Sequence, residues 1–120
     1  MFKESLQKVV ENVEGGVASL VMGFDGIAVD AYSKATNGPP LDMNTVGMEF
    51  SFILTQVRKA AEILEVGALQ ELTLKSEKLI MIMKVLTPEY FLALAMGPEG
   101  NFGKGRYLLR IIAPKLQVEL

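Results

Sequence analysis

The stretch from Gly97 to Gly105, GPEGNFGKG, is the part of this sequence closest to a phosphate-binding loop. A loop of the G-x-x-x-x-G-K-[ST] type needs glycine at its first position, where backbone N–H groups surround a phosphate, and a hydroxyl at its last, where it binds a metal. Counting back from Gly103 and Lys104, these positions hold Pro98 and Gly105. We therefore interpret the stretch as a glycine-rich turn with close helix packing at Gly105.

The side chains needed for most catalytic and metal-binding chemistry are scarce. The chain has no cysteine and no histidine, which removes thiol chemistry, the commonest general base and the commonest transition-metal ligand. Asp25, Asp30 and Asp42 have a spacing that matches no calcium-binding loop. The serines have no histidine base to activate them. We expect a protein that is not an enzyme and binds no metal or cofactor.

The composition indicates one domain spanning residues 1–120. Half of the residues are hydrophobic, and the mean hydropathy is +0.31, which is consistent with a surface covered by a partner. A net charge of −2 with interspersed charges does not indicate nucleic-acid binding. The N-terminus lacks the apolar core of a signal peptide, and the apolar run at 79–83 is too short to span a bilayer. We expect a cytoplasmic protein without membrane insertion.

A long helix predicted over residues 42–66 organises the chain. One broad apolar face is expected to lie on the core, comprising Val46, Phe50, Ile53, Leu54, Val57, Ala60, Ala61 and Leu64. Nearly opposite, Met48, Phe52 and Ile63 form a thinner apolar stripe, with Thr55 and Lys59 alongside. Three stray surface apolar residues would be ordinary. A helix that packs on its own sheet and also on a partner needs such a second stripe.

The segments before the long helix predict a helix and a hairpin. Residues 2–14 have a helical apolar period that ends at Gly15-Gly16. Strands at 17–23 and 27–33 flank Asp25-Gly26, a dipeptide suited to a tight turn. The polar segment 34–41 is rich in turn-forming residues and is expected to be a mobile loop.

The segments after the long helix predict three strands and a helix. The apolar period becomes two over residues 68–75, 78–86 and 89–97. The last two of these strands are apolar on both faces and should be central, whereas the first has mixed polarity that suits an edge or an interface. Asn101 can cap a final helix, in which Pro114 is expected to cause a kink or an interruption.

This order predicts an α+β fold, α-β-β-α-β-β-β-α, with a central five-stranded antiparallel sheet and helices on both of its faces. The layout resembles the Roadblock/dynein light chain family, which has a profilin-like architecture, and within it the bacterial branch related to MglB-type polarity proteins. The resemblance is carried by EGGVASLVMGFDGIAV, VGMEFSFILTQVRKAAEILEVG, LTLKSEKLIMIMKVLTPEYFLALAM and PEGNFGKGRYLLRIIAPKL, which together cover nearly the whole chain.

The resemblance implies a dimer with a second copy or a paralogue, in which the long helices pack side by side and the third strands pair edge to edge. The helix contacts would be Met48, Phe52, Thr55, Lys59 and Ile63. The strand contacts would be Leu69, Glu71, Thr73 and Lys75.

The resemblance also implies a small Ras-like GTPase of the MglA type as a partner, activated by reshaping rather than by an arginine finger. Three residues beside the apolar stripe, Ser51, Arg58 and Glu62, are candidate contacts for that partner. Arg58 could equally be a solvated charge that pairs with Glu62 at i+4. Two other functions stay open: a scaffold subunit of a signalling or motor complex with no GTPase-activating role, and a small-molecule sensor, although bulky strand residues should fill its pocket.

Overall fold

The computed structural model describes residues 2–35 and 41–120. The elements follow the predicted order: α1 (Phe2–Glu11), β1 (Gly16–Gly23), β2 (Ala28–Ser33), α2 (Met43–Ile63), β3 (Glu71–Lys75), β4 (Ile80–Val85), β5 (Tyr90–Met96) and α3 (Phe102–Gln117). The predicted mobile loop at 34–41 falls largely on residues 36–40, which lie outside the described residues. Across 2–35 and 41–120, no helix has the length and apolar character required to cross a bilayer.

The five strands form one antiparallel sheet in the order β2-β1-β5-β4-β3. The prediction that the two apolar C-terminal strands are central is confirmed, because β4 and β5 both have neighbours on each side. The strand of mixed polarity, β3, lies at one edge, and β2 lies at the other. The β1–β2 turn forms at Asp25-Gly26, where Gly26 has a φ of 86° and the Asp25 carboxylate accepts the Ile27 N–H.

Two hydrophobic cores lie on opposite faces of this sheet. α1 and α3 cover one face, where Leu6, Val10 and Leu109 pack against Ile82 and Leu94. α2 covers the other face. This division agrees with the prediction that strands apolar on both faces need helices on each.

α2 is rotated relative to the predicted orientation. Its buried residues are Met43, Gly47, Ser51 and Leu54, whereas Ile53 and Leu64 are exposed, as is Ala60. The prediction that Ile53, Ala60 and Leu64 face the core is wrong. The reason is Gly47: a Cβ there would lie 2.8 Å from the Leu20 Cδ2 and Met22 Cε atoms. The helix therefore approaches β1 closely at this glycine, and Ser51 follows one turn later on the same buried side.

α2 also ends earlier than predicted, at Ile63 rather than at Val66. Glu65 adopts a left-handed φ of 55°, and its N–H donates to the Glu62 carbonyl while the Val66 N–H donates to the Ala61 carbonyl. These two bonds form a Schellman ending, a motif that usually places glycine where this chain has Glu65.

α3 continues through Pro114 to Gln117, so the expected interruption is wrong. Pro114 lies in the last turns of the helix, where one missing N–H removes a single bond near an end that already has unpaired carbonyls. The N-terminus agrees with prediction, because the Asn101 Oδ1 accepts the Lys104 N–H. A Cβ on Gly105 would lie 3.0 Å from the Leu94 Cδ2 and Met96 Sδ atoms, which confirms close helix packing at that glycine.

Candidate interaction surface

An apolar row lies on the solvent side of α2. Met48, Phe52 and Ile63 are 57%, 56% and 81% exposed, on the side of the helix away from the buried Gly47 and Leu54. The structure thus places the predicted second stripe on the surface of the protomer. The opposite side of the helix packs on the sheet, and residues 2–35 and 41–120 leave the apolar residues of the stripe exposed.

The two polar residues of the stripe differ in solvent exposure. Lys59 is exposed, whereas Thr55 is half-buried and its hydroxyl donates to the Ser51 carbonyl at 2.9 Å. We name these five residues, of which all but Thr55 are exposed, the α2 stripe: Met48, Phe52, Thr55, Lys59 and Ile63.

Three further apolar residues are exposed outside the stripe, and the sequence does not indicate their exposure. Ile53 and Leu64 lie on one flank, and Val66 follows the helix end, with exposures of 38%, 69% and 71%. The helical period predicts that Ile53 and Leu64 lie on the core face beside Leu54. The close approach at Gly47 turns them to solvent, and glycine carries no hydrophobic signal that could have indicated the rotation.

Ser51 does not fit its predicted role as a partner contact. It is only 5% exposed, and its hydroxyl donates to the Met48 carbonyl at 2.7 Å. Its side chain lies under the β1–β2 turn, since a Cβ on Gly26 would be 3.6 Å from the Ser51 Oγ. The prediction is corrected on this ground: the hydroxyl is committed within the protomer. Glu62 is exposed, as a partner contact requires.

Arg58 makes two contacts within the protomer. Its guanidinium carbon lies 3.8 Å from the centroid of the Phe24 ring, and its Nη2 donates to the Pro88 carbonyl at 2.8 Å. Among the described residues, the one ion pair closer than 4 Å joins Arg106 to Glu71, so the alternative pairing of Arg58 with Glu62 does not form.

β3 has one paired and one unpaired edge. The Ser76 N–H donates to the Leu79 carbonyl and the Val85 N–H donates to the Gln70 carbonyl. Since backbone groups alternate in direction along a strand, the groups of even-numbered residues face β4 and those of Glu71, Thr73 and Lys75 face outward. Leu69 precedes β3 and is half-buried against the α2-side core, so it does not belong to the strand.

On the face of the sheet that α3 covers, side chains of β3 contact α3. The Arg106 guanidinium forms an ion pair with the Glu71 carboxylate, and the Lys75 Nζ lies 4.1 Å from the Phe102 ring centroid. These contacts keep both ends of β3 in place. Arg106 was missed from sequence because its partner lies 35 residues away, beyond any local spacing rule.

The other edge of the sheet is blocked. The β1–β2 register and the bond from the Lys34 N–H to the Val17 carbonyl direct the Ala31 backbone groups away from β1. The Asp30 Oδ1 accepts that outward N–H at 2.9 Å. A carboxylate on an edge strand opposes further strand pairing, so β3 is the edge better suited to a partner.

The remaining candidate groups from the sequence are used locally. The Asp25 carboxylate accepts the Ile27 N–H of the β1–β2 turn. The Asp42 carboxylate accepts hydrogen bonds from the Thr45 N–H and the Thr45 hydroxyl. These hydrogen bonds hold the pKa of Asp42 below its usual value, the Thr45 hydroxyl contributing most. Asn101 uses its side chain to close the first turn of α3, after the glycine-rich segment.

Comparison with solved structures identifies this architecture as a Roadblock/LC7 fold. The structure of a Roadblock/LC7 domain from Streptomyces avermitilis superposes with a TM-score of 0.85 at 12% identity, covering 98% of this chain and 95% of that one. A structure described as MglB with a tetrameric arrangement gives a TM-score of 0.84 at 16% identity, covering 95% of this chain and 83% of that one.

The sequence itself is much more similar to a third structure, MglC from Myxococcus xanthus. The two chains are 47% identical over 98% of this chain and 97% of that one, with a TM-score of 0.69. This chain therefore belongs to the Roadblock/LC7 family, in the bacterial branch that includes MglB and MglC. No protein-family model and no curated protein matches the sequence.

Proposed function

We propose that this chain is a non-enzymatic module that forms a dimer, with itself or with a paralogue, and presents the face around its paired α2 helices to a small Ras-like GTPase. The observation that carries the proposal is the α2 stripe, an uncovered apolar row on a helix whose other side already packs on the sheet. The tetrameric arrangement described for an MglB relative supports self-association as a property of this branch.

The charges on β3 support one pairing register. An antiparallel pair of β3 strands uses all three outward residues only when Thr73 lies opposite Thr73 of the second copy. In that register Glu71 lies opposite Lys75 of the second copy, and the same contact occurs twice. Opposite charges in directly facing cross-strand positions stabilise the pair, and Lys75 of the second copy would join the ion pair that Glu71 forms with Arg106 in the protomer.

The same pairing extends the α2 face of the sheet. A two-fold axis perpendicular to the sheet keeps both α2 helices on one face of the joined ten-stranded sheet. Leu72 and Leu74 lie on that face and are only half-buried in the protomer. Their partial exposure next to the unpaired edge supports a second copy at this position.

A GTPase partner is supported by the bacterial branch to which the chain belongs and by exposed polar groups beside the stripe, including Glu62 and Lys59. Arg58 is held by Phe24 and Pro88, so it is not free to act as an arginine finger. On this proposal, binding favours one nucleotide state of the GTPase by ordering its switch loops, which also gives a route to faster hydrolysis.

The test is retention of a Ras-like GTPase from the source organism, loaded in parallel with GDP and with a non-hydrolysable GTP analogue. Retention of the analogue-loaded form alone supports a regulator of the GTPase, and a hydrolysis assay then identifies activation. Phe52→Asp should abolish retention, whereas Ala60→Asp, an exposed position on a different flank of α2, should preserve it. Retention by the Phe52→Asp variant would contradict the proposed surface.

A scaffold subunit without a GTPase-activating role is the second candidate. The observation that favours it is a groove between α1 and α3, on the sheet face opposite α2. Two separate surfaces would let one module connect two partners. Equal retention of the GDP and GTP-analogue forms would favour this scaffold function.

A further inference from the structure

The groove between α1 and α3 has a recessed apolar floor. It is lined by Val9 of α1 and by Leu108, Ile111 and Ile112 of α3. Val9 and Ile112 are only 4% and 8% exposed, whereas Ile111 is 48% exposed and forms one wall. The groove lies on the face opposite α2, so the proposed dimer leaves it open.

The rim of this groove is positively charged. Lys8 and Lys115 border it, and no carboxylate lines it. α3 carries four basic residues and no acidic one, although the whole chain has a net charge of −2. One of those four, Arg106, is neutralised by Glu71. The two rim lysines therefore give the groove a local positive charge in a protein that is acidic overall.

The volume of the groove identifies the size of its occupant. It is an open groove of about 250 Å³, at the small end of the roughly 300–1,000 Å³ range of small-molecule pockets. A space of that size accepts one or two large apolar side chains. A furrow between two helices with apolar residues at its base is the usual receptor for the apolar face of a third helix.

We propose that the α1–α3 groove binds an acidic amphipathic helix of another protein, whose apolar row enters the furrow while its flanking carboxylates face Lys8 and Lys115. The charge complementarity selects this occupant over a basic or neutral helix. The recessed positions of Val9 and Ile112 select a narrow helix over a flat membrane surface, which could not reach them. This site does not depend on the proposed GTPase function.

The test uses a fluorescein-labelled 20-residue synthetic helix with leucines at i, i+3, i+4 and i+7 and glutamates on both flanks. A matched peptide carries lysine in place of every glutamate. Fluorescence anisotropy against the full chain should detect the acidic peptide and not the basic one. Amide chemical-shift changes in ¹⁵N spectra should cluster on α1 and α3 and spare α2.

Charge reversal at the rim separates this site from general attraction. The double variant Lys8→Glu, Lys115→Glu should weaken acidic-peptide binding by about tenfold or more, since two favourable contacts become repulsive. Arg110→Glu on the same helix does not alter the lining and should change binding by less than about twofold. Ile111→Ala should weaken binding through lost apolar contact without altering the charge.

Four outcomes would overturn the proposal. The first is that the acidic peptide does not bind at millimolar concentration, and the second is that Arg110→Glu weakens peptide binding as much as the double variant does. The third is that the amide chemical-shift changes centre on α2. The fourth is a change in the protein's own oligomeric state in the double variant, which would assign the groove to a second copy. Loss of binding to vesicles containing 30% anionic lipid in the double variant, with no peptide binding, would assign it to a membrane instead.

Discussion

Arg58 stacks on Phe24, with its guanidinium carbon 3.8 Å from the ring centroid, and so joins α2 to the β1–β2 turn. The Phe24 ring in turn contacts Phe91, with centroids 5.4 Å apart, and Phe91 is fully buried. A bond from Arg58 to the Pro88 carbonyl adds the β4–β5 turn to the same contact. The cation beside the α2 stripe thus fixes the position of α2 at one end of the sheet.

Replacing Arg58 should therefore reduce stability. We expect Arg58→Ala to lower the free energy of unfolding by about 1 kcal/mol, from the lost stacking on Phe24 and the lost hydrogen bond to the solvent-exposed Pro88 carbonyl. Arg58→Lys should recover only part of this, because lysine lacks the planar fork. Urea unfolding gives the measurement, with the exposed Lys59→Ala as control at less than about 0.5 kcal/mol. Unchanged stability in Arg58→Ala would contradict this structural role of the residue.

Glu65 should be replaceable with a gain in stability. Its φ of 55° is a conformation that costs a non-glycine residue about 1–2 kcal/mol. We expect Glu65→Gly to raise the free energy of unfolding by up to about 1 kcal/mol. Glu62→Gly, three residues earlier within the helix, should lower it by about 1 kcal/mol. Thermal unfolding of the pair measures both, and two changes of the same sign would refute the role of the Schellman ending.

Asp42 should make the stability of α2 depend on acid pH. Its pKa is lowered in the folded state from an ordinary 3.8 by the hydrogen bonds from Thr45. A lowered folded pKa gives a stabilisation that is complete above the unfolded value and is lost as the pH falls through the folded one. Urea midpoints at pH 6 and pH 3 should therefore differ more in the wild type than in Asp42→Ala. An equal difference in both would show that this cap does not contribute.

The sequence was sufficient to predict the element order, the sheet and the edge position of β3, because each depends on a local period or a turn signal. The α2 stripe could also be predicted, since Met48, Phe52 and Ile63 fall on one side of a helix with 3.6 residues per turn. The edge position of β3 followed from one polar row, Glu71, Thr73 and Lys75, beside an apolar one.

What could not be predicted depends on contacts between distant residues. The rotation of α2 follows from the fit of Gly47 against Leu20 and Met22, and the Arg106–Glu71 pair joins α3 to β3 across 35 positions. The end of α2 depends on the left-handed conformation of Glu65, which a residue other than glycine rarely adopts. Rules based on glycine therefore predict the helix end at Val66-Gly67. Ser51 was assigned to a partner because its local hydrogen bond to Met48 leaves no signal in sequence.

Blocking the outer edge of β3 should prevent dimerisation without unfolding the protomer. The Thr73 N–H faces away from β4, so proline there removes no bond of the existing sheet. We expect Thr73→Pro to fold with nearly normal circular dichroism and to elute as a monomer. Leu74→Pro removes a bond to β4 and should instead destabilise the protomer by about 3 kcal/mol or more. A dimeric Thr73→Pro variant would exclude pairing along β3.

Sedimentation velocity of the wild type and Phe52→Asp over micromolar concentrations tests whether the chain dimerises through the α2 stripe. A charge placed in the middle of the α2 stripe leaves the sheet-facing side of the helix unchanged, so the variant should stay folded. We expect a dimer for the wild type and for Ala60→Asp, and a monomer for Phe52→Asp. A wild type that is monomeric throughout, or a Phe52→Asp variant that remains dimeric, would contradict it.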